Sequence, residues 1–337
     1  MYYPIFLSVV FVVNLYALIP SSIRNLHRDD TRHVRWRCFS VLISTAVALV
    51  TFTKLFCETD SSSWDLLGFE RWDISIPFIH ILFLYLGPIS VWAMEHHLAC
   101  ASFSANSSGS YLGTILLTII ETITSPLNIR YWSWVNWRNL FLAPLAEEII
   151  FRSCSLPPLL SSGMSVGEAC LFSSLCFGLA HTHHAFSRWR DGFPWRAIFL
   201  QTLFQFVFTS LFGSYVAFVH CRRASLPASV TVHIFCNIWG LPDLTFFIRW
   251  GRGSIYRRVI LRGVRYNRKN SSTMLNDRET NEEIVIVQTT EWMRFLGGTC
   301  YIVGIILFGL LFIADPKVYS LAPFGNAEDF VLVSISR

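Results

Sequence analysis

Charge is scarce in this chain. Asp, Glu, Lys and Arg make up only 15% of its 337 residues, where soluble domains carry about 25%. That shortage, with 53% hydrophobic residues gathered in long blocks and a mean hydropathy of +0.46, excludes an ordinary soluble domain and reads as a polytopic membrane protein. No two of the nine cysteines form a CxxC pair, and most lie inside apolar runs. A disulfide framework and a zinc ribbon are thereby set aside, and buried free thiols are expected. The absence of HExxH and of GxSxG speaks against the usual zinc protease and against a serine nucleophile elbow. There is no internal repeat with matching broken segments, as a transporter would carry. No basic stripe interleaves with aromatics on a soluble module, so no nucleic-acid partner is expected. The first residues, MYYPIFLSVVFVVNLYALIP, lack a basic n-region and a small-x-small cleavage site, so a retained membrane helix is expected rather than a signal peptide.

What is there reads as an all-α, polytopic transmembrane bundle of about eight membrane segments. Apolar spans are expected over Tyr2–Ile19, Cys38–Phe56, Ile74–Met94, Tyr111–Pro126, Leu140–Leu160, Val166–His184 and Ala197–Val219. A further apolar segment follows Leu226, and a last transmembrane helix is expected at about 296–314. The whole chain, 1–337, reads as one integral-membrane domain with a core at about 130–245 and a flexible polar loop at about 266–291. The net charge of +5 sits in loops, which serve as orientation signals and as anchors to anionic membrane lipid. By the positive-inside rule the basic stretches at 21–37, 222–223 and 249–269 all face the cytosol. Two of them bracket the segment at 226–242, which is interrupted by Gly240 and Pro242. A straight crossing cannot satisfy both, so a re-entrant or broken helix lining a cavity is expected there. Two Asn-Ser-Ser sequons, at Asn106 and Asn270, then face the cytosol and go unused. Glu121, near the end of its span, is read as structural.

The segment that stands out is LFLAPLAEEIIFRSCSLPPLL, residues 140–160, because it carries Glu147, Glu148 and Arg152 within apolar surroundings. Intramembrane ionisable residues are costly and mark functional sites by default. Glu148 and Arg152 are four apart and share a helix face, so they can pair. Glu147 is turned about 100° away, which leaves it free to act as a general base; a single buried cluster of all three charges has equal weight from this segment alone. His181 closes an apolar helix, and taken singly it reads as a packing residue. His233 and Asn237, four apart, offer two donors on one face, either for an oxyanion or for packing against neighbouring helices. Together these residues fit a hydrolytic site of general base, partner and oxyanion hole. Zinc held by Glu147, His181 and His233 is the rival chemistry.

Three motifs then carry a resemblance: Glu147-Glu148-x-x-x-Arg152, Phe177-x-x-x-His181 and His233-x-x-x-Asn237. Their order resembles the CAAX-protease and bacteriocin-processing (abortive infection) membrane family. Arg138-Asn139, Ala143-Pro144-Leu145 and FGLAHTHH make the chain most similar to that family's type II CAAX prenyl endopeptidase branch. The resemblance implies an all-helical, metal- and cofactor-independent protease in the endoplasmic reticulum membrane that removes the last three residues of farnesylated or geranylgeranylated CAAX proteins. It implies that Glu147 and His181 activate water, that His233 and Asn237 stabilise the oxyanion, and that Glu148 and Arg152 support them. A non-proteolytic member or a transporter-like binding protein with the same fold is the alternative, although such a member has little reason to keep the complete set.

Overall fold

The computed structural model describes residues 2–24, 26–27, 29–56, 67–105, 133–240, 255–262 and 282–314. The span expected at Tyr111–Pro126, Glu121, both sequons and Pro242 lie outside the described residues. The chain forms two compact units, one holding residues 1–79 and 133–238, the other 80–132 and 239–314. The helices are α1 (Tyr2–Ala17), α2 (Thr31–Phe56), α3 (Ser75–Leu84), α4 (Leu86–Ala105), α5 (Trp134–Trp137), α6 (Ala143–Glu148), α7 (Leu156–Ser161), α8 (Val166–His181), α9 (His184–Arg190), α10 (Trp195–Arg223), α11 (Leu226–Trp239) and α12 (Glu291–Ala314). Three of these, α2, α10 and α12, are long and apolar enough to cross a membrane, and a fourth span results if α3 and α4 count as one. The sequence treats Ile74–Met94 as one span. In the structure that stretch bends by 65° between α3 and α4.

In the first unit, the core packs α1, α2, α8 and α11 around residues 146–154, with Phe11, Phe52, Phe151 and Phe177 almost wholly buried. Segment 140–160 is not one regular helix. Two π-helical turns, Arg138–Leu142 and Ile149–Ser153, flank α6. A π turn leaves carbonyls without their usual partners, and serines supply them: Ser155 Oγ donates to the Ile150 carbonyl (2.7 Å) and Ser173 Oγ to that of Phe151. Helix α8 starts on a capping box in which the Ser165 and Glu168 side chains each bond the other's backbone N–H. Small residues bring α8 against α10: a Cβ on Gly178 would strike Ser210 Oγ and lie 3.1 Å from the Phe206 carbonyl. At the mouth of α2, Asp30 accepts hydrogen bonds from the Arg32 side chain, and these hold its exposed carboxyl below the ordinary carboxylate range.

The turn between α10 and α11 is fixed by buried polar contacts. Arg223 is buried and pairs with Asp73 (3.1 Å), and the Arg222 guanidinium lies over the Phe218 ring at 5.3 Å. Ser225 Oγ donates to the Arg71 carbonyl (2.6 Å), and the Leu226 N–H donates to that of Gly68 (2.8 Å). Ala224 takes φ +46° to make this turn, a conformation that costs a non-glycine residue energy and persists because its neighbours are fixed. Arg223 is thus neutralised within the protein. Helix α11 runs unbroken to Trp239 and stops at Gly240, whose φ of +67° suits the position after a helix end.

In the second unit, α4 packs on α12. Gly87 meets the Tyr301 ring, and Gly304 meets the Phe83 carbonyl and Leu86. Strands β1 (Ile255–Arg262) and β2 (Glu282–Thr289) pair antiparallel, with Ile255 opposite Thr289 and Arg262 opposite Glu282. Part of the expected polar loop is therefore a strand. The polar residues before it mask the β-branched run Ile284-Val285-Ile286-Val287, which suits a pleated surface and alternates between exposed Ile286 and buried Val287. The last helix also starts earlier than expected, at Glu291.

Candidate active site

The charges of segment 140–160 converge on one histidine. Glu148 is the last residue of α6, and Arg152 lies in the π turn beyond it, four residues on. The Arg152 Nη1 to Glu148 Oε1 distance is 3.2 Å, with both side chains fully buried. From α11, His233 Nδ1 donates to the same Glu148 Oε1 at 2.7 Å. That bond fixes which imidazole nitrogen remains: Nε2, which stands 3.7 Å from Glu147 Oε2. Helical phase separates the glutamates as expected in one respect, since the Glu147 side chain is 13% exposed and that of Glu148 is not exposed at all. It misleads in another. Glu147 does not face away from the pair's partner, because an imidazole carries nitrogens on two sides and each meets one carboxylate.

Phe177, one turn before His181 on α8, is the wall of this group. The Arg152 guanidinium carbon lies 4.5 Å from its ring centre, a cation–π distance. Its ring centre is 4.5 Å from that of His181 and 6.3 Å from that of His233. His181 thus borders the glutamate–histidine group across one phenyl ring, and its Nδ1 donates to the Phe177 carbonyl (2.9 Å). Asn237, one turn beyond His233, donates from Nδ2 to the Asn139 carbonyl at 3.1 Å. An amide nitrogen has two hydrogens, so this bond holds the side chain and leaves a donor. Asn139 in turn accepts from Arg138 Nε (2.9 Å), and Arg138 pairs with Asp29 (2.9 Å). The structure therefore brings Glu147, Glu148, Arg152 and His233 into direct contact, sets His181 beside them, and ties Asn237 to the backbone of the π turn before α6.

Sequence reasoning passed over His220. It is fully buried on α10, its Nδ1 meets Ser229 Oγ at 3.3 Å, and it lies within electrostatic reach of Glu148 and Arg152. An intramembrane histidine is a signal in itself; here it was hidden beside the basic pair that seemed to end the span. As to metal, no three His, Cys, Asp or Glu side chains gather into a ligand set among the described residues. Cys38, Cys154, Cys170, Cys176 and Cys221 are buried free thiols.

Membrane-length apolar helices and a buried carboxylate–imidazole pair define a multi-pass membrane protein. Residues 129–239, which hold every group of that site, match the family described as type II CAAX prenyl endopeptidase Rce1-like. The chain is 28% identical to the probable CAAX prenyl protease 2 of Schizosaccharomyces pombe, over 77% of this chain and 88% of that protein. It is 31% identical to the human CAAX prenyl protease 2 over 64% of each, and 35% identical to that of Arabidopsis thaliana over 41% of this chain and 43% of the relative. No solved structure matches.

Proposed function

We propose that this protein is a CAAX prenyl endopeptidase that removes the C-terminal tripeptide from prenylated CAAX proteins. The observation that carries the reading is His233 set between Glu147 and Glu148, within the residues that match the family. Glu147, the more open carboxylate, takes a proton from water as the water attacks the carbonyl of the prenylcysteine. His181, next to Phe177, serves as its partner in activating that water. The oxyanion accepts hydrogen bonds from Asn237 and, in the imidazolium form, from His233 Nε2–H, and the proton passes to the departing amine of the tripeptide. Glu148 and Arg152 orient His233. The mechanism is glutamate-type and metal-independent. Substrates are farnesylated or geranylgeranylated, since each CH₂ buried beside the site contributes about 0.8 kcal/mol. The protein works in the endoplasmic reticulum membrane, with its site open to the cytosolic leaflet, so that the lipid enters sideways and the peptide from water.

The test is cleavage of a farnesylated CAAX peptide by the purified full chain, beside Glu147→Ala. Cleavage by the wild type and its loss in the variant are expected; undiminished activity in Glu147→Ala overturns the assignment, and an inactive wild type points to a non-proteolytic member. Exhaustive chelation separates the zinc alternative, because the proposed mechanism retains full activity after it.

A further inference from the structure

A second concentration of charge lies in the same unit and has no part in the chemistry above. A cavity of about 860 Å³ opens among the loop after α1, helix α9 and helix α10. Arg24, Arg188, Arg190, His27 and His184 line it, together with Asp29 and Asp191. Asp29 is already engaged by Arg138 (2.9 Å). The three arginines are met only by neutral oxygens among the described residues. Arg24 donates to the Ile19 carbonyl (3.3 Å), Arg190 to the Arg24 carbonyl (3.3 Å), and Arg188 to Gln205 Oε1 (3.0 Å) and Thr202 Oγ1 (3.5 Å). Guanidiniums fixed by neutral acceptors keep their charge and further donors for an anion, and their planar fork matches a carboxylate.

The cavity adjoins the candidate active site. His184 lines it, and the His184 ring centre is 6.2 Å from that of His181. Tyr16, also in the lining, donates to the His183 carbonyl at 3.3 Å. If the reading above holds, the substrate carries one obligatory anion, the C-terminal carboxylate, three residues beyond the scissile bond. Three extended residues span about 10 Å, which suits a path from His181 past His184 into the basic cavity.

We infer that this cavity is the subsite for the substrate's terminal carboxylate, with Arg24 and Arg190 as its outer clamp and Arg188 behind them. The inference rests on the proposed protease function. It explains how an endopeptidase places its cut at a fixed distance from a chain end: the carboxylate sets the register and the prenyl group holds the other side.

The experiment compares a farnesylated CAAX peptide ending in a free acid with the same peptide ending in an amide. The full chain is used in nanodiscs of phosphatidylcholine alone. The wild type should favour the acid by about tenfold in kcat/KM, mainly through KM. In the double variant Arg24→Gln, Arg190→Gln that ratio should fall toward one, and Arg24→Lys, Arg190→Lys should restore part of it. Equal cleavage of acid and amide by the wild type overturns the subsite. So does a variant that keeps the acid preference. Adding phosphatidylserine provides the lipid arm: a loss in the variant that appears only with anionic lipid, and equally for both peptides, makes the cavity a headgroup site and overturns the inference. Direct binding of the two fluorescently labelled peptides separates this test from that of the protease reading. Acid-selective binding without cleavage refutes the protease function and keeps the subsite; cleavage without selectivity does the reverse.

Discussion

Two groups of basic residues lie in the same compact unit and are built to opposite rules. In one, Arg152 forms an ion pair with Glu148, His233 hydrogen-bonds the same carboxylate, and the Arg152 and Glu148 side chains are sealed from solvent. In the other, Arg24 and Arg190 are exposed and held by backbone carbonyls. A buried charge without its partner is severely destabilising, whereas an exposed one is solvated and costs little to leave open. The first group can therefore position a reacting carboxylate but cannot exchange its partner for a ligand. The second contributes little to the fold and is free to take an anion from outside. On the proposed reading, catalysis and recognition are in this way separated between a closed network and an open one.

The largest effect that can break this comparison is at Glu147. It is the member of the closed group that the ion pair does not need, so Glu147→Ala should leave the detergent-solubilised protein as stable as the wild type or slightly more so. Cleavage of the farnesylated peptide should fall by about a thousandfold, in the range of a lost general base. A variant that loses activity only because it melts early contradicts the division between Glu147 and the pair.

Next comes Arg152. Arg152→Ala leaves the Glu148 carboxylate buried with His233 alone, and removing one partner of such a pair costs about 3–5 kcal/mol. A large drop in the thermal midpoint is expected, with loss of activity following it. Replacing both partners, Glu148→Gln with Arg152→Met, should recover much of the stability, because no unpaired charge remains. It should not recover activity, because the carboxylate that orients His233 is gone. Spacing alone suggests that losing Glu148 lowers folded yield more than turnover; the 2.7 Å bond to His233 gives it a part in both.

How much of this was legible in the sequence follows from the range of each signal. The Glu148–Arg152 pair is local, four residues apart on one face, and spacing is enough to find it. The helical class and the membrane character follow from composition. What joins α6 to α11 is long-range: residue numbers do not reveal that His233 would insert between two glutamates 85 and 86 positions earlier. Backbone departures were also hidden. The 65° bend between α3 and α4 falls just before Gly87-Pro88, and Pro144 and Pro157 stand just beyond the two π turns, but membrane helices tolerate proline and glycine, so these residues alone did not announce a break. The burial of Arg223 was hidden for a related reason. The positive-inside rule counts charges, and only packing shows that this one is buried against Asp73.

The smallest expected effect separates the two groups without any substitution. Salt screens exposed charges, with a Debye length of about 10 Å at 0.1 M and about 3 Å at 1 M, and reaches buried pairs far less. Raising ionic strength from 0.1 to 1 M should therefore increase KM for the free-acid peptide by a few-fold while leaving that for the amide nearly level. The thermal midpoint, which depends on the closed group, should shift equally in the wild type and in Arg24→Gln, Arg190→Gln. If salt instead lowers kcat for both peptides alike, the screened charges are those at the reacting carbonyl, and the closed group is more accessible than its burial implies. If KM for the acid does not move, the arginines of the cavity do not meet the carboxylate in water-exposed form, and recognition of the chain end must come from the buried side.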